Sequence, residues 1–377
     1  MFDFSTLSTE LVFACALLLF TVIESINWFS SYLKIIIQQK ERPINNSFPP
    51  VSVVICAKNE GENLTEFLPK ILLQNYPTFE VVVVNDCSYD NTADVLREYA
   101  KEFPNLKIIT IKEDDYYKHG KKFALMIGIK GSQYEHLLLT DGDCYPNSEN
   151  WIKEMVSTYE NNIELVLGYG AYQKERGFLN KLIRFDTFRI AVNYLSAAVK
   201  NKAYMGVGRN LSYKKEIFFR HKGFSSHYHI PSGDDDLLVN KEAKAGNIAV
   251  NFNPDAFTYS VPEKTFKNWT NQKARHLITS AFYTRTSRNR LIYSHLLPYF
   301  VFVFFISCIL FYKFRLFAFL IFSLRILYQS ILNYKAMKKF QEQDLFFYFP
   351  IFEIVMLFCN PYFQFRRFVR NNTKWKN

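Results

Sequence analysis

The chain has 377 residues, enough for one large domain or two, and 38 Phe and 24 Tyr bring its aromatic content to 18%, heavy for a soluble enzyme. A net charge of +11 suits nucleic acid, an anionic membrane face or phosphorylated substrates; with no compact basic repeat or nucleic-acid motif, nucleic acid is set aside and the apolar segments favour a lipid bilayer. Cys15, Cys56, Cys87, Cys144, Cys308 and Cys359 are scattered with no C-x-x-C pair and read as free thiols in a reducing compartment rather than a disulfide framework or zinc site.

Leu11 to Ile37 is apolar and long enough to cross a bilayer. Asp3 and Glu10 precede it and no Lys or Arg does, so an uncleaved anchor is expected rather than a signal peptide. Glu24 inside it is costly in lipid and should face protein or the interface. Lys34, Lys40 and Arg42 follow, which puts the next segment in the cytoplasm by the positive-inside rule. Arg42 to Pro50 reads as a linker.

A strand–helix alternation comes next and argues for an α/β domain. VSVVICA (Val51 to Ala57) is a β-branched run suited to a buried parallel strand. Asn63 to Asn75 has helical apolar spacing, EVVVVND is a second strand ending at Asp86, and Ala93 to Phe103 is the next helix. LKIITI is a third strand and Lys122 to Lys130 a third helix.

LLLTDGDC, Leu137 to Cys144, ends a buried strand in Asp141 and Asp143, separated by Gly142. Side chains two apart on an extended segment point the same way, so both carboxylates can face one point at the mouth of the sheet. Open α/β sheets bind ligands there, and two acids so close favour a cation between them with phosphate oxygens completing its shell. A plain Asp/Gly turn after the strand would carry the same residues. Lys58, Asn59 and Glu60 end the first strand in the same manner. Asp86 could accept from a ribose hydroxyl or base N–H, or cap the following helix. Lys121 and Lys122, after Gly120, could meet a phosphate at a helix N-terminus, or could be solvated.

Further on, Phe178 to Leu195 is helical, with Phe and Leu stripes separated by Lys181, Arg184 and Arg189; it suits a membrane surface or, more commonly, a core. In SGDDDLLV, Asp234, Asp235 and Asp236 crowd negative charge, which raises the proton affinity of one of them. The same segment can cap a helix that runs on to Gly246. In QKARH, Gln272, Arg275 and His276 share one helical face. Leu291 to Tyr312 and Leu316 to Tyr334, the latter carrying Arg325, read as spans. Leu345 to Phe365 holds Glu353, Pro350 and Pro361 and is expected to be broken or re-entrant. Three true spans then keep Arg366, Arg367, Arg370, Lys374 and Lys376 cytoplasmic.

The ordered series VSVVICAKNE, VVVVNDCSYDNT, GKKFAL, LLLTDGDC, GDDDLL and QKARH resembles the membrane-bound family-2 glycosyltransferases, nearest the bacterial poly-N-acetylglucosamine and cell-wall polysaccharide synthases, from about Pro49 to Arg285. The resemblance implies a GT-A nucleotide-diphospho-sugar transferase domain, a Rossmann-like mixed sheet, flanked by transmembrane helices. The expected boundaries are 1–45 for anchor and linker, 46–288 for the cytoplasmic domain and 289–377 for a C-terminal membrane region. It implies inverting transfer from a nucleotide sugar, usually a UDP-sugar, to the hydroxyl of a saccharide or lipid-linked acceptor for envelope polysaccharide or glycolipid synthesis, at the inner face of a bacterial cell membrane.

Carried over by match, Glu60 and Asp86 would touch the nucleoside, Lys121 would lie near the uracil or diphosphate, and Lys58, Asp141 and Arg275 complete the residues expected to bind the nucleotide sugar. Asp141 and Asp143 form the D-x-D motif for Mg2+ or Mn2+. Asp234 aligns with the catalytic base of a T-E-D-x-D-L motif whose first two residues are here Ser232 and Gly233; Asp236 is the second acid. QKARH matches Q-x-x-R-W with His276 in place of Trp, which bears on processivity and acceptor placement; Arg275 suits a diphosphate. YMGVGRNLSYKK falls where the family shapes its acceptor pocket, with Arg209 and Asn210 as candidates. A sugar-1-phosphate nucleotidyltransferase would need a Gly-rich loop that CAKNE lacks. A polyprenyl-phosphate sugar transferase would need no hydroxyl-activating base, so GDDDLL and QKARH count against it. A decayed, non-catalytic scaffold would have no need of the full series of acidic motifs.

Overall fold

The computed structural model describes residues 8–38, 48–113, 120–159, 162–220, 222–228, 230 and 232–369. Most of the Arg42 to Pro50 linker and the basic residues Arg370, Lys374 and Lys376 lie outside them. Helix α1 is Thr9–Ile37; β1 (Val51–Ala57), α2 (Gly61–Leu72), β2 (Phe79–Asp86), α3 (Thr92–Glu102), β3 (Leu106–Ile111), α4 (Lys121–Gly131) and β4 (His136–Asp141) follow. Next come β5 (Cys144–Pro146), α5 (Trp151–Val156), β6 (Leu165–Leu167), β7 (Gly170–Tyr172), α6 (Phe178–Val199), β8 (Leu211–Lys214) and α7 (Lys215–Arg220). Then α8 (Asp236–Glu242), β9 (Ile248–Val250), β10 (Thr258–Ser260) and α9 (Phe266–Thr279) lead to three long helices, α10 (Arg285–Leu310), α11 (Arg315–Lys339) and α12 (Phe349–Val369).

The chain divides into two units: one of Met1–Gln38 with Thr284–Pro361, the other of Gln39–Tyr283 with Tyr362–Asn377. The second is α/β. Its seven-stranded sheet runs β3-β2-β1-β4-β8-β6-β9. The strands β1 to β4 are parallel, because the helices α2, α3 and α4 supply a crossover between each strand and the next. β8 is antiparallel to both β4 and β6, which makes the sheet mixed. Val81, Val82, Val83 and Val84 of β2 are all fully buried, as a strand covered on both faces requires, each worth roughly 1.5–3 kcal/mol of burial. The strand order reverses at β1, and the crevice at the carboxyl ends of β1 and β4 is the topological switch point. Asp141 stands there, paired with Cys56. A second sheet, β5-β10-β7, sets Cys144 and Tyr172 on either side of Ser260.

Helix α6 is buried along most of its length, Arg184 included, so it is a core helix and not a membrane-surface one. Helix α8 ends at Glu242, short of the expected Gly246, because Asn247 Oδ1 accepts from the Lys244 N–H at 2.8 Å and turns the chain out of the helix. The end of α12 belongs to the α/β unit: Phe363 meets the Trp269 ring of α9 edge-on at 4.9 Å, and Tyr362 stacks on Phe266.

The other unit is helical. Its core is Ala14, Leu17, Val301, Cys308 and Ala318. Four helices of the chain are long and apolar enough to cross a membrane. The expected break in Leu345 to Phe365 is absent: α12 is one helix after a 3-10 turn, Gln343–Tyr348. Pro350 falls in its first turn, where no N–H is needed. Pro361 frees the carbonyl four residues back, and that carbonyl, Leu357 O, accepts from the Tyr299 hydroxyl at 2.9 Å. Glu24 is buried against protein, bound bidentately by Arg325 at 2.7 and 2.8 Å, and the same guanidinium reaches Glu353 at 3.3 Å.

Candidate functional site

The loops after β1 and β2 are laced together. Asn59 and Cys87, one after each strand, both adopt positive φ (52° and 49°), turning the chain sharply at the strand ends. Ser88 Oγ accepts from the Asn59 N–H at 3.0 Å, Thr92 Oγ1 from the Glu60 N–H at 2.9 Å, and Asp90 Oδ2 from the Gly61 N–H at 2.9 Å. The residue that caps this turn is therefore Asp90, not Asp86. Asp86 ends β2 and is completely buried; Lys58 is half-buried in the bend after β1. Glu60 accepts from Asn63 Nδ2 at 2.6 Å and packs on the D-x-D turn. A Cβ on Gly142 would lie 3.0 Å from Glu60 Cγ and 3.5 Å from Cys56 O, so the turn sits close against the Glu60 side chain, which would have to shift slightly for any larger residue.

Asp141, Asp143 and Cys144 bring one ligand atom each within 4.8 Å of one another. Burial first, then Asp143 and Asp141, push the Cys144 thiol well up, so it stays protonated and donates to Asp143 Oδ1 at 3.4 Å. That leaves two carboxylates as oxygen donors, a set that fits a hard divalent cation.

Lys121, first residue of α4, closes the site. Its ammonium lies 2.6 Å from Asp141 Oδ1 and 3.5 Å from Asp234 Oδ2. Although burial opposes its charge, Asp141, Asp234 and Asp235 hold its pKa well above the usual lysine value. The lysine beside it behaves differently. Lys122 is buried and donates to the carbonyls of His227 (2.7 Å) and Ile230 (3.0 Å); burial lowers its pKa to about 8. Lys121 thus faces carboxylates, and Lys122 tethers the segment that leads to Asp234.

The three aspartates separate. Asp234 is buried and faces Lys121. Asp235 caps α8 by accepting from the Asp236 N–H at 2.7 Å and takes the Gly208 N–H as well. Burial, then Asp234 and Asp236, push the Asp235 carboxyl up to about 7. Asp236 accepts from the hydroxyls of Thr279 (2.5 Å) and Tyr283 (2.7 Å), tying α8 to the end of α9; its pKa is raised too, by burial above all. Sequence patterns offered no sign of Thr279 or Tyr283 as partners, because both come to Asp236 only through folding.

On α9, Gln272 Oε1 accepts from the Tyr172 hydroxyl at 3.1 Å. Arg275 is half-buried. His276 is exposed to solvent on the same helix. Arg209 follows Gly208 in a 3-10 turn between β4 and β10, and its guanidinium lies over the Tyr172 ring at 4.3 Å. Asn210 cannot serve an acceptor. It is fully buried, accepting from Trp151 Nε1 (3.1 Å) and donating to Tyr169 O (3.0 Å) and Ala256 O (2.7 Å), which makes it a strut of the core.

Residues 52–224 match the model of glycosyl transferase family 2. The chain is 34% identical to the glycosyltransferase AglE of Haloferax volcanii over 38% of its own length and 47% of that protein. It is 30% identical to the poly-beta-1,6-N-acetyl-D-glucosamine synthase of Staphylococcus epidermidis over 34% of its length and 32% of that protein. It thus spans less than half the length of either relative. Its fold is like that of the mannosyltransferase PcManGT from Pyrobaculum calidifontis, solved with GDP-Man and Mn2+: TM-score 0.57, 18% identity, 92% of this chain and 99% of that one. The match to glycosyl transferase family 2 thus falls within the α/β unit, on the mixed sheet whose switch point carries the D-x-D turn, and the fold is of the GT-A kind.

Proposed function

We propose that the chain transfers a glycosyl group, with inversion, from a nucleotide-diphospho-sugar to an acceptor hydroxyl, at the cytoplasmic face of a bacterial cell membrane. The observation that carries this reading is Lys121, which joins Asp141 of the D-x-D turn to Asp234. Leaving-group and acceptor chemistry thereby meet at one point. Asp141 and Asp143 are the residues to hold a divalent cation, and Lys121 already rests a positive charge on Asp141. When bound, such a cation neutralises charge on the leaving diphosphate.

The chain's own groups do the rest. Glu60 and Asp86 take the nucleoside end, with Lys58 beside them among the residues that bind the nucleotide sugar. Lys121 and Arg275 supply positive charge for the diphosphate, and His276 and Gln272 face the same space from α9. Asp234 takes the proton from the acceptor hydroxyl as that oxygen attacks the anomeric carbon from the face opposite the leaving group. One base and one leaving-group clamp imply a single displacement, hence inversion. UDP- and GDP-sugars are both candidate donors, since one structural neighbour was solved with GDP-Man. Saccharide and lipid-linked acceptors both suit a membrane protein. The boundaries 1–45, 46–288 and 289–377 are kept for anchor, transferase domain and C-terminal membrane region.

The test is to supply membranes bearing the protein with a panel of labelled UDP- and GDP-sugars. Transfer of one label is expected, with an inverted anomeric centre and loss of transfer in excess chelator. Asp143→Asn should abolish transfer and metal-dependent nucleoside diphosphate binding while leaving the unfolding temperature unchanged, because an amide is a poor ligand for a hard cation. Retention of configuration, or full activity of Asp143→Asn in chelator, would overturn the mechanism.

A further inference from the structure

Arg209 is held in an unusual way for a surface-loop arginine. Its carbonyl accepts from Thr140 Oγ1 at 3.1 Å and Thr258 Oγ1 at 2.9 Å, and Thr140 immediately precedes Asp141. The backbone of Arg209 is therefore pinned beside the strand that carries the D-x-D turn. A Cβ on Gly170 would lie 3.1 Å from Arg209 Cβ and 3.5 Å from its Nε, so glycine at 170 leaves the slot through which this side chain passes. The guanidinium then lies 4.3 Å over the Tyr172 ring, and Nη1 donates to Ala171 O at 3.3 Å. Tyr172 is itself fixed from two sides. It stands beside Ser260, which pairs with Cys144, the residue after Asp143, and its hydroxyl donates to Gln272.

A guanidinium has five N–H donors, and among the described residues Ala171 O is its one hydrogen-bond acceptor. No carboxylate among the described residues comes within ion-pair distance, although Asp143 and Asp141 are near enough to help hold the group charged against its burial. Charges withdrawn from water are ordinarily paired. A flat, half-buried, pre-oriented fork with spare donors next to a metal-binding turn matches the oxygen geometry of a phosphate.

We propose that Arg209 binds a phosphate group of the substrate and that Tyr172 is its positioning residue; the inference rests on the transferase reading above. Two sources of phosphate fit: the diphosphate of the donor, and the phosphate of a lipid-linked acceptor.

Full-length protein purified in detergent with Mn2+ would be titrated with uridine, UMP and UDP and with the guanosine series, and assayed with neutral and phosphate-bearing acceptors. If the donor diphosphate is bound, Arg209→Gln weakens UDP or GDP binding about 10–100-fold while nucleoside affinity stays within about twofold. If the acceptor phosphate is bound, nucleotide affinities hold and KM rises by a similar factor for the phosphate-bearing acceptor alone. In either case Arg209→Lys loses less, Tyr172→Phe, which keeps the ring face, retains most of the binding, and Tyr172→Leu loses part. These variants keep the test open should Arg209→Gln fold poorly. Nucleotide affinities and both KM values within about twofold of wild type in Arg209→Gln overturn the proposal. A wild-type protein that binds neither UDP nor GDP overturns the transferase reading, and this inference with it.

Discussion

At Asp234, Asp235 and Asp236 one run of like charge meets three sets of partners. Asp234 has the Lys121 ammonium, Asp235 has two backbone N–H groups, and Asp236 has two hydroxyls. Asp234→Asn is expected to lower transfer about 10²–10⁴-fold, the usual worth of a general base, and to spare nucleotide binding. Kinetics and nucleotide titration of the three single Asp→Asn variants test this; a near-wild-type Asp234→Asn would move the base elsewhere. Asp235 makes a separate claim on stability. Its pKa rises from an ordinary 3.8 to about 7 on folding, so between those values the folded chain binds more protons than the unfolded one. Stability should therefore fall as pH climbs from about 4 to about 7, and Asp235→Asn, which still offers an oxygen to cap α8, should flatten that slope. Unfolding temperatures of both proteins across this range decide it, and an unchanged slope would mean that Asp235 stays ionised throughout.

Among the elements, the long helices carry the clearest energetic argument. Glu24 of α1, Arg325 of α11 and Glu353 of α12 meet in the interior of the helical unit, and Arg325 also lies 5.5 Å from the Phe302 and Phe322 rings. Replacing Arg325 by Leu strands two buried carboxylates and should cost about 3–5 kcal/mol. Adding Glu24→Leu and Glu353→Leu removes the stranded charges and should recover most of that loss. Thermal unfolding in detergent measures both; a triple variant no more stable than Arg325→Leu would show that the cluster does more than neutralise itself. Within this unit Tyr299 has a parallel role, since its hydroxyl serves the carbonyl that Pro361 leaves free.

The whole molecule raises the question of how often the chain crosses. Lys339 at the end of α11 donates to the carbonyl of Ile35 at the end of α1 at 2.6 Å, so those two ends share a face. Crossings by α1, α10 and α11 therefore leave the chain on the side where α1 ends. A fourth crossing would carry Tyr362–Val369 away from that side, yet Phe363 packs on Trp269 of α9, which lies in the chain between α1 and α10. A reporter fused after Val369 should therefore give the same signal as one fused after Gln38. Opposite signals would mean that α12 crosses despite this contact.

Much of this protein is legible in its sequence, for a physical reason. Apolar runs such as Val81 to Val84 must be buried, carboxylates at strand ends must lie at the sheet's mouth, and continuous apolar stretches of bilayer length must be helical. Those are properties of neighbours in the chain, so the α/β winding, the D-x-D turn and the apolar helices can be read directly. Pairings between distant residues carry no local signature. Nothing near Arg325 points to Glu24, nothing near Asp236 points to Tyr283, and the isolated strand of Tyr172 has no motif to connect it with Arg209 or Gln272. Asn210 and Asp86 illustrate the converse: polar residues in suggestive segments, whose full burial is decided by what packs over them. Composition and periodicity determine which elements form and which residue types their ends present. Only tertiary packing decides which of those ends meet, which charges are neutralised, and which are left to face a substrate.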